Sequence, residues 1–430
     1  MPTQLSITQP DFADAFKRFL ALRQTSEKQI SDIVTSILKQ VREEGDTALL
    51  SLTFRFDHFE ATNENIRVTA QEIANALSLC SPEIIKSLKV AAARIRDYSE
   101  RQLPQDLDYI DELGVRLGHR WTPIQSVGLY VPGGTASYPS SVLMNAIPAK
   151  VAGVERLVMV VPSPEGKLNP ALLAAAHVVG IEEIYKIGGA QAIGALAYGT
   201  ETIQPVDKIV GPGNAYVAEA KRQVFGVVGI DMIAGPSEIL VIADNKNNPS
   251  WIAADLLSQA EHDIMAQSVL ITDDAMFAEQ VCVEVTRIIA TLPRAEIAEK
   301  SWERYGGVII VHNWDEACAA CNTIAPEHLE LAVENPDDLL PHIVHAGAIF
   351  LGRHTPEAIG DYIAGPSHVL PTSGTARFSS GLSVFDFLKR TSLIGCSAQS
   401  LNTLTGYAEV LATTEGLDAH ALSMTIRTTP

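Results

Sequence analysis

Apolar positions recur at helical spacing early in the chain and later give way to short solid blocks. From Ser31 to about Glu44, Ile33, Val34, Ile37, Leu38 and Val41 form one stripe, and Gly45 stands where such a helix would end. The stretch from Pro82 to about Gln102 reads the same way through Ile84, Leu88, Ala91, Ala92 and Ile95. Strand patterns are scarce up to this point. From Gln125 β-branched runs, closed by glycine, proline or asparagine, begin to alternate with helical ones. The runs Ser126 to Val131, Arg156 to Val161, Glu183 to Ile187 and Lys208 to Val210 are separated by helical stretches at about 140–152, 168–179 and 190–198. After Gly235-Pro-Ser237 the alternation resumes with Glu238 to Ala243, Ser268 to Thr272, Gly307 to Val311 and Ala348 to Leu351. Runs apolar on both faces and joined by helices predict parallel sheets covered on each side. The expected fold class is therefore α/β, with two doubly wound domains. From about Phe378 strand patterns fade, and helices at about 383–393 and 398–415 predict a small helical tail. No internal repeat, low-complexity tract or long linker interrupts this pattern.

Composition then narrows the function classes. A chain of 430 residues, 47% of them hydrophobic, can bury large cores. Its 51 acidic and 32 basic residues leave a net charge of −19, which opposes phosphate backbones and anionic membranes, so no nucleic-acid or membrane partner is expected. Met1 to Pro10 carries neither a basic nor an apolar leader region, and no secretory signal is expected. The most apolar stretch, Ala171 to Gly180, is far shorter than the roughly 20 residues a membrane helix needs. Five cysteines (Cys80, Cys282, Cys318, Cys321 and Cys396) are few and odd in number, which fits a reducing compartment, and the cytoplasm is the expected location. Cys318 and Cys321 make a CxxC inside the helical pattern Trp314 to Ile324; with no second pair they read as helix-packing residues, not a zinc site.

Several polar groups stand out from this background. Four glycine turns follow strand-like runs: Val131-Pro-Gly-Gly134, Gly188-Gly-Ala-Gln191, Gly211-Pro-Gly-Asn214 and Ala234-Gly-Pro-Ser237. Such turns let a phosphate approach backbone N–H groups at a helix start. None spells GxGxxG, ordinary strand-to-helix turns explain each equally well, and Asn214 would also serve as a helix N-cap. Gln259 and His262 stand at i and i+3 and would share one helix face, as metal ligands or as a solvated pair near a helix end. Pro326-Glu-His-Leu-Glu330 sets a carboxylate beside an imidazole, the pair most used in acid/base chemistry. Asp361, His368 and His420 each follow a glycine closely, where loops carry function or merely turn the chain. Gln, His, Asp and His would form a hard, mixed N/O set compatible with zinc, but spacing does not show that they meet.

Taken together, these segments resemble the histidinol dehydrogenase family from about residue 25 to the end. The words that carry it are Val127-Gly-Leu-Tyr-Val-Pro-Gly-Gly134, Gly188-Gly-Ala-Gln-Ala-Ile193, Asp207-Lys-Ile-Val-Gly-Pro-Gly-Asn-Ala215, Asp231-Met-Ile-Ala-Gly-Pro-Ser-Glu238, Leu257-Ser-Gln-Ala-Glu-His262, Pro326-Glu-His-Leu329 and Gly360-Asp-Tyr-Ile-Ala-Gly-Pro-Ser-His-Val-Leu-Pro-Thr372. A minor departure is Ser367, where asparagine is common in the family.

The resemblance implies an oxidation of L-histidinol to L-histidine by two NAD+ in turn, the last two steps of histidine biosynthesis. It implies one zinc ion held by Gln259, His262, Asp361 and His420, with His420 supplied by the partner subunit of an intertwined homodimer. Ser237, His328, His368 and Glu415 match substrate-contacting positions, as do the four zinc ligands, and Tyr130, Gln191 and Asn214 match residues that hold NAD. His328 is the expected base for the alcohol step and Glu327 the expected activator of water for the second. Domain organisation is expected as an N-terminal arm over 1–25, a discontinuous α/β domain over 26–129 and 239–380, an inserted, incomplete Rossmann-like NAD-binding domain over 130–238, and a helical tail over 381–430 that serves dimerisation and reaches the partner's active site. Two rivals remain: a relative on the same scaffold acting on another amino alcohol or a diol, and a zinc hydrolase in which the glycine loops would have no role.

Overall fold

The computed structural model describes residues 2–22, 28–133 and 138–428; Gly134 of the first glycine turn and the boundary expected at residue 25 lie outside them. In chain order the strands are β1 (Thr3–Ser6), β2 (Leu107–Ile110), β3 (Arg116–Pro123), β4 (Ser126–Tyr130), β5 (Arg156–Val160), β6 (Glu183–Tyr185), β7 (Lys208–Val210), β8 (Gly229–Ile230), β9 (Glu238–Ala243), β10 (Gln267–Thr272), β11 (Gly307–Ile310), β12 (His328–Ala332), β13 (Ala348–Leu351) and β14 (Leu388–Gly395). They form a six-stranded sheet in the order β1-β11-β10-β9-β12-β13, a five-stranded sheet in the order β6-β5-β4-β7-β8, and a three-stranded sheet in the order β14-β3-β2. Every pairing in the two larger sheets is parallel, as the solid apolar runs predict, and every pairing in the smallest is antiparallel.

Side chains leave a strand on alternate faces, and both faces of the large sheets are buried. In the five-stranded sheet Leu157 and Met159 join one core with Leu88 and Ile95 of the helix Pro82–Glu100. Val158 and Val160 join another with Val34, Leu38 and Val41 of the helix Lys28–Glu44. In the six-stranded sheet Leu329 and Leu331 pack with Phe16, Phe19, Cys318 and Cys321, while Ile239, Val241 and Leu270 pack with Ile252 and Leu256 of the helix Pro249–Ala260. Both cysteines of the CxxC are thus core residues of the helix Trp314–Ile324, with burial raising their thiol pKa values.

Several elements differ from the sequence expectation. Three strands precede Gln125: the N-terminal arm supplies β1, which adds to the edge of the six-stranded sheet, and β2 and β3 follow the helix Pro82–Glu100. The helix expected at 383–393 is instead a short 3₁₀ turn, Val384–Phe387, followed by β14. β14 pairs with β3 along its full length, from Leu388 opposite Pro123 to Gly395 opposite Arg116. This long antiparallel ladder overrides the local pattern, and because the strand is largely exposed it lacks apolar alternation. The tail helix expected at 398–415 is present as Ala398–Thr414, and a further helix with no counterpart in the expectation, Asp418–Thr428, packs on it.

Topology marks a place for a ligand beside the five-stranded sheet. The chain runs from β4 to β5 and β6 on one side, then returns to β7 and β8 on the other. In such a sheet the crevice beyond the strands' C-terminal ends at this reversal is where ligands bind. The six-stranded sheet reverses between β9 and β12.

Candidate active site

The acid/base pair sits at the start of β12. Glu327 immediately precedes the strand and His328 is its first residue, opposite Ile239 of β9. His328 is buried, and its Nδ1 lies 2.9 Å from the carbonyl oxygen of Glu238. That acceptor places the ring proton on Nδ1 and leaves Nε2 as the basic nitrogen. Nε2 is buried without a hydrogen-bond partner, 3.5 Å from Glu357 Oε1, which also has none. Burial lowers the imidazole pKa to about 4 against the opposing charge of Asp361, so the ring is neutral at physiological pH. Glu327 Oε2 accepts the Glu238 N–H at 2.8 Å and lies 3.6 Å from His328 Nδ1. Burial holds the Glu327 carboxyl well above the usual range, and that amide bond only partly offsets it.

Gln259 and His262 come together beside this pair. Asn248 caps the start of their helix, its Oδ1 accepting the Ser250 N–H at 3.0 Å, and Pro249 takes the first turn. The helix ends at Ala260, so Gln259 is in its last turn while His262 lies in the turn beyond, not on a helix face as the spacing predicted. The side chains still converge, with Gln259 Nε2 3.4 Å from His262 Nδ1. Gln259 is fully buried and its Oε1 has no partner, an arrangement that costs about 1–3 kcal/mol when nothing occupies the site.

Asp361 arrives on the short helix Glu357–Tyr362. Its backbone carbonyl accepts His368 Nδ1 at 3.0 Å, and His368 Nε2 lies 3.2 Å from Ser141 Oγ in the first turn of the helix Pro139–Ala152. That bond joins the helix following β4 to the mixed cluster at the start of β12. The charges of Asp361 and His262 act on both His328 and His368.

Glu357 is the site residue the sequence reading missed. Burial, then the charge and hydrogen bond of Asp361, push its carboxyl up to about 9. His328, Glu357 and Asp361 each offer a ligand atom, and these atoms lie within 4.8 Å of one another. This trio shares only Asp361 with the expected ligand set. The unpartnered Gln259 oxygen, the His262 ring and the Asp361 carboxylate offer a second donor set that overlaps this trio at Asp361. Their mixed N/O chemistry fits zinc. The i, i+4 spacing of Glu357 and Asp361 was a readable signal for a shared face.

Glu415 and His420 are exposed, at the end of the helix Ala398–Thr414 and on the helix Asp418–Thr428, and no hydrogen bond or ion pair among the described residues joins them to this cluster by their side chains. Ser237 is half-buried next to Glu238, and its carbonyl accepts the Gln267 N–H at 3.0 Å.

Two of the glycine turns, at Gly188-Gly189 and at Gly211, meet Tyr130 at the C-terminal edge of the five-stranded sheet, while Ala234 to Ser237 leads instead into the start of β9. Tyr130, the last residue of β4, is buried and its hydroxyl accepts the Gly189 N–H at 3.1 Å. Gly211 has φ +109°, and a Cβ there would collide with the Tyr130 carbonyl. Lys221 holds the Gly211 turn by donating to its carbonyl at 3.0 Å, while Asp231 accepts the Gly211 N–H at 2.7 Å. Gln191 is buried in the first turn of the helix Gly189–Tyr198. Asn214 caps the helix Ala215–Val224, its Oδ1 accepting from Tyr216 and Val217 at 3.1 and 3.2 Å. The capping role read as an alternative is therefore present, and the exposed Asn214 stands at a helix N-terminus beside the crevice.

Comparison with known proteins extends the match over the whole chain. The profile of the family described as histidinol dehydrogenase covers residues 20–428. The histidinol dehydrogenase of Rhodospirillum rubrum is 59% identical over 428 residues, 99% of either chain. That of Rhizobium meliloti is 58% identical over 427 residues, covering 99% of this chain and 98% of its own. The crystal structure of histidinol dehydrogenase from Elizabethkingia anophelis superposes with a TM-score of 0.94 at 37% identity, covering 99% of this chain and 98% of that one.

Proposed function

The chain belongs to the histidinol dehydrogenase family, an oxidoreductase family of histidine biosynthesis, and we propose that it takes L-histidinol through L-histidinaldehyde to L-histidine with two NAD+ and one zinc ion per subunit. The observation that carries this reading is His328: a neutral, buried imidazole whose proton is committed to the Glu238 carbonyl and whose unbonded Nε2 lies beside Glu357 in a cluster with Asp361. In the first step Nε2 takes the hydroxyl proton as hydride leaves for NAD+; in the second, Glu327 activates the water that adds to the aldehyde before another hydride leaves. Overall one alcohol, two NAD+ and one water give one carboxylate, two NADH and three protons.

Gln259, His262 and Asp361 would hold zinc, and His420 of a second copy would complete the set. Zinc supplies a positive charge that binds and orients the amino alcohol without changing oxidation state. Ser237, His368 and Glu415 are assigned to substrate, and Tyr130, Gln191 and Asn214 to NAD at the crevice where their turns gather. Under the same reading the NAD-binding unit expected over 130–238 also takes β4 from residue 126 and the helices Lys28–Glu44 and Pro82–Glu100 from the segment 26–129, since these pack in or on its sheet. The exposure of Glu415 and His420 on their own subunit supports a homodimer in which the tail serves the partner. The five unpaired cysteines support a cytoplasmic setting; among the described residues no helix is long and apolar enough to cross a membrane.

Purified protein with zinc, NAD+ and L-histidinol should form two NADH per histidine, lose activity to a chelator and regain it with zinc. Oxidation of other amino alcohols without oxidation of L-histidinol would sink the substrate assignment. Product release without NADH would favour the hydrolase.

A further inference from the structure

We propose that Glu330, outside the ligand and catalytic sets assigned above, is the positioning residue that fixes the metal ligands relative to the catalytic base; this rests on the zinc-dependent reading. Glu330 is two residues beyond His328 on β12, so both side chains leave the strand on one face. It is 2% exposed, on the face where Ala332 packs with Ile252 and Leu256 of the helix Pro249–Ala260.

Its carboxyl is held at two points. One oxygen accepts the N–H of Glu357, the first residue of the helix that carries Asp361; Pro356 at the N-cap provides no side-chain bond of its own. The carboxyl is also hydrogen-bonded to Asp255, one turn before Gln259. The strand bearing the base and the two helices bearing Asp361 and Gln259 therefore meet on a single side chain.

Two carboxyls joined by a hydrogen bond share a proton. Burial and the Asp255 charge hold Glu330 well above the ordinary carboxylate range, and burial raises Asp255 to about 6. Burying such a pair costs stability that an apolar side chain of similar size would not, so its use lies in what its bonds hold in place. Glu330 touches no reacting atom in this scheme and acts through Glu357 and Asp255.

The test compares full-length wild type, Glu330→Leu and Glu330→Gln by zinc retention against a chelator, the visible spectrum after cobalt substitution, and kcat against KM for NAD+. Glu330→Leu should weaken zinc retention by about tenfold or more, shift the cobalt bands and lower kcat, while leaving KM for NAD+ and the circular dichroism unchanged. Glu330→Gln, which can still accept from Glu357 and donate to Asp255, should retain zinc within about threefold of wild type and keep the wild-type bands. A folded Leu variant with wild-type retention and bands overturns the proposal, as does a folded Gln variant as damaged as Leu. If the Leu variant does not fold, Asp255→Ala, which removes one of the two bonds, must weaken zinc retention, and unchanged retention overturns the proposal. Wild type that binds neither zinc nor cobalt would instead bring down the zinc-dependent reading, and this inference with it.

Discussion

His328 suits the proposed role of base because only one of its ring nitrogens is committed. With Nδ1 donating to Glu238, a proton taken by Nε2 creates a buried imidazolium whose charge is opposed by burial and supported by Asp361. His328→Asn should therefore lower alcohol oxidation by about 10²–10⁴-fold, the usual range for a lost general base, while zinc stays bound. Metal analysis of that variant checks the division of labour, and loss of zinc would refute it. Glu327→Gln should slow aldehyde oxidation more than alcohol oxidation, so equal damage in separate assays of the two steps would remove its role with water. Glu357 gives a pH prediction for the metal-free protein. Its folded value of about 9 lies above the ordinary 4.5, so between those values the folded chain keeps a proton that the unfolded chain releases. Its stabilising contribution is complete below about 4.5 and is lost as pH rises through about 9. His328 runs the other way: lowered from 6.5 to about 4, its contribution is complete above 6.5 and is lost as pH falls through 4. In chelator, Glu357→Gln should flatten the alkaline fall of Tm between about pH 6 and about pH 9 relative to wild type. Calorimetry decides it, and parallel slopes would show that Glu357 does not hold this proton.

At the scale of elements, the glycine turns illustrate what a sequence reveals and what it hides. Asn214 was readable as an N-cap and is one; Asn214→Ala should cost about 1 kcal/mol and, under the NAD assignment, raise KM for NAD+. Gly211→Ala has a different cause of failure. Its φ of +109° and the Tyr130 carbonyl leave no room for a Cβ, so a strain of about 1–3 kcal/mol should appear as a lower Tm together with weaker NAD+ binding by titration calorimetry. Unchanged binding would detach this turn from the cofactor. The stripe Val34, Ile37, Leu38 and Val41, from which the exposed Ile33 drops out, and the solid runs of β9 and β10 were legible because each buries one face or both, which writes a period into the sequence. β14 was not, since an exposed strand defined by its partner β3 carries no such period. The same distinction applies to the site. Gln259 with His262, and Glu327 with His328, were visible as neighbours, but their meeting with Asp361 depends on packing between segments distant in sequence. Glu330 was hidden for another reason, because a buried carboxyl looks like a surface one until its surroundings are known, whereas Glu357 left a signal in its i, i+4 spacing to Asp361.

At the scale of the molecule, the catalytic residues occupy an unusual edge. His328 is the first residue of β12 and Glu238 the first of β9, so the cluster sits at the N-terminal end of the six-stranded sheet, whereas the Tyr130, Gly189 and Gly211 turns sit at the C-terminal end of the five-stranded one. The bond from His368 to Ser141 joins these two edges, which suits a hydride passing from a substrate on one to a nicotinamide on the other. Under the proposed reading, one subunit would lack the tail's contribution. Tyr407, Val410, Leu411, Leu422 and Ile426 on the tail helices are all more than half exposed, as are Ile110 and Ile394 of the three-stranded sheet. Apolar surface of this extent, on elements that pack chiefly with one another, is consistent with the proposed second copy. If the partner's tail brings His420, then His328→Asn and His420→Asn subunits should complement each other. Each heterodimer would hold one site with both lesions and one with neither, so refolding an equal mixture should return about a quarter of wild-type activity if subunits pair at random. Mass spectrometry of the intact dimers establishes how many heterodimers formed. Heterodimers without activity would mean that His420 acts within its own chain or not at all.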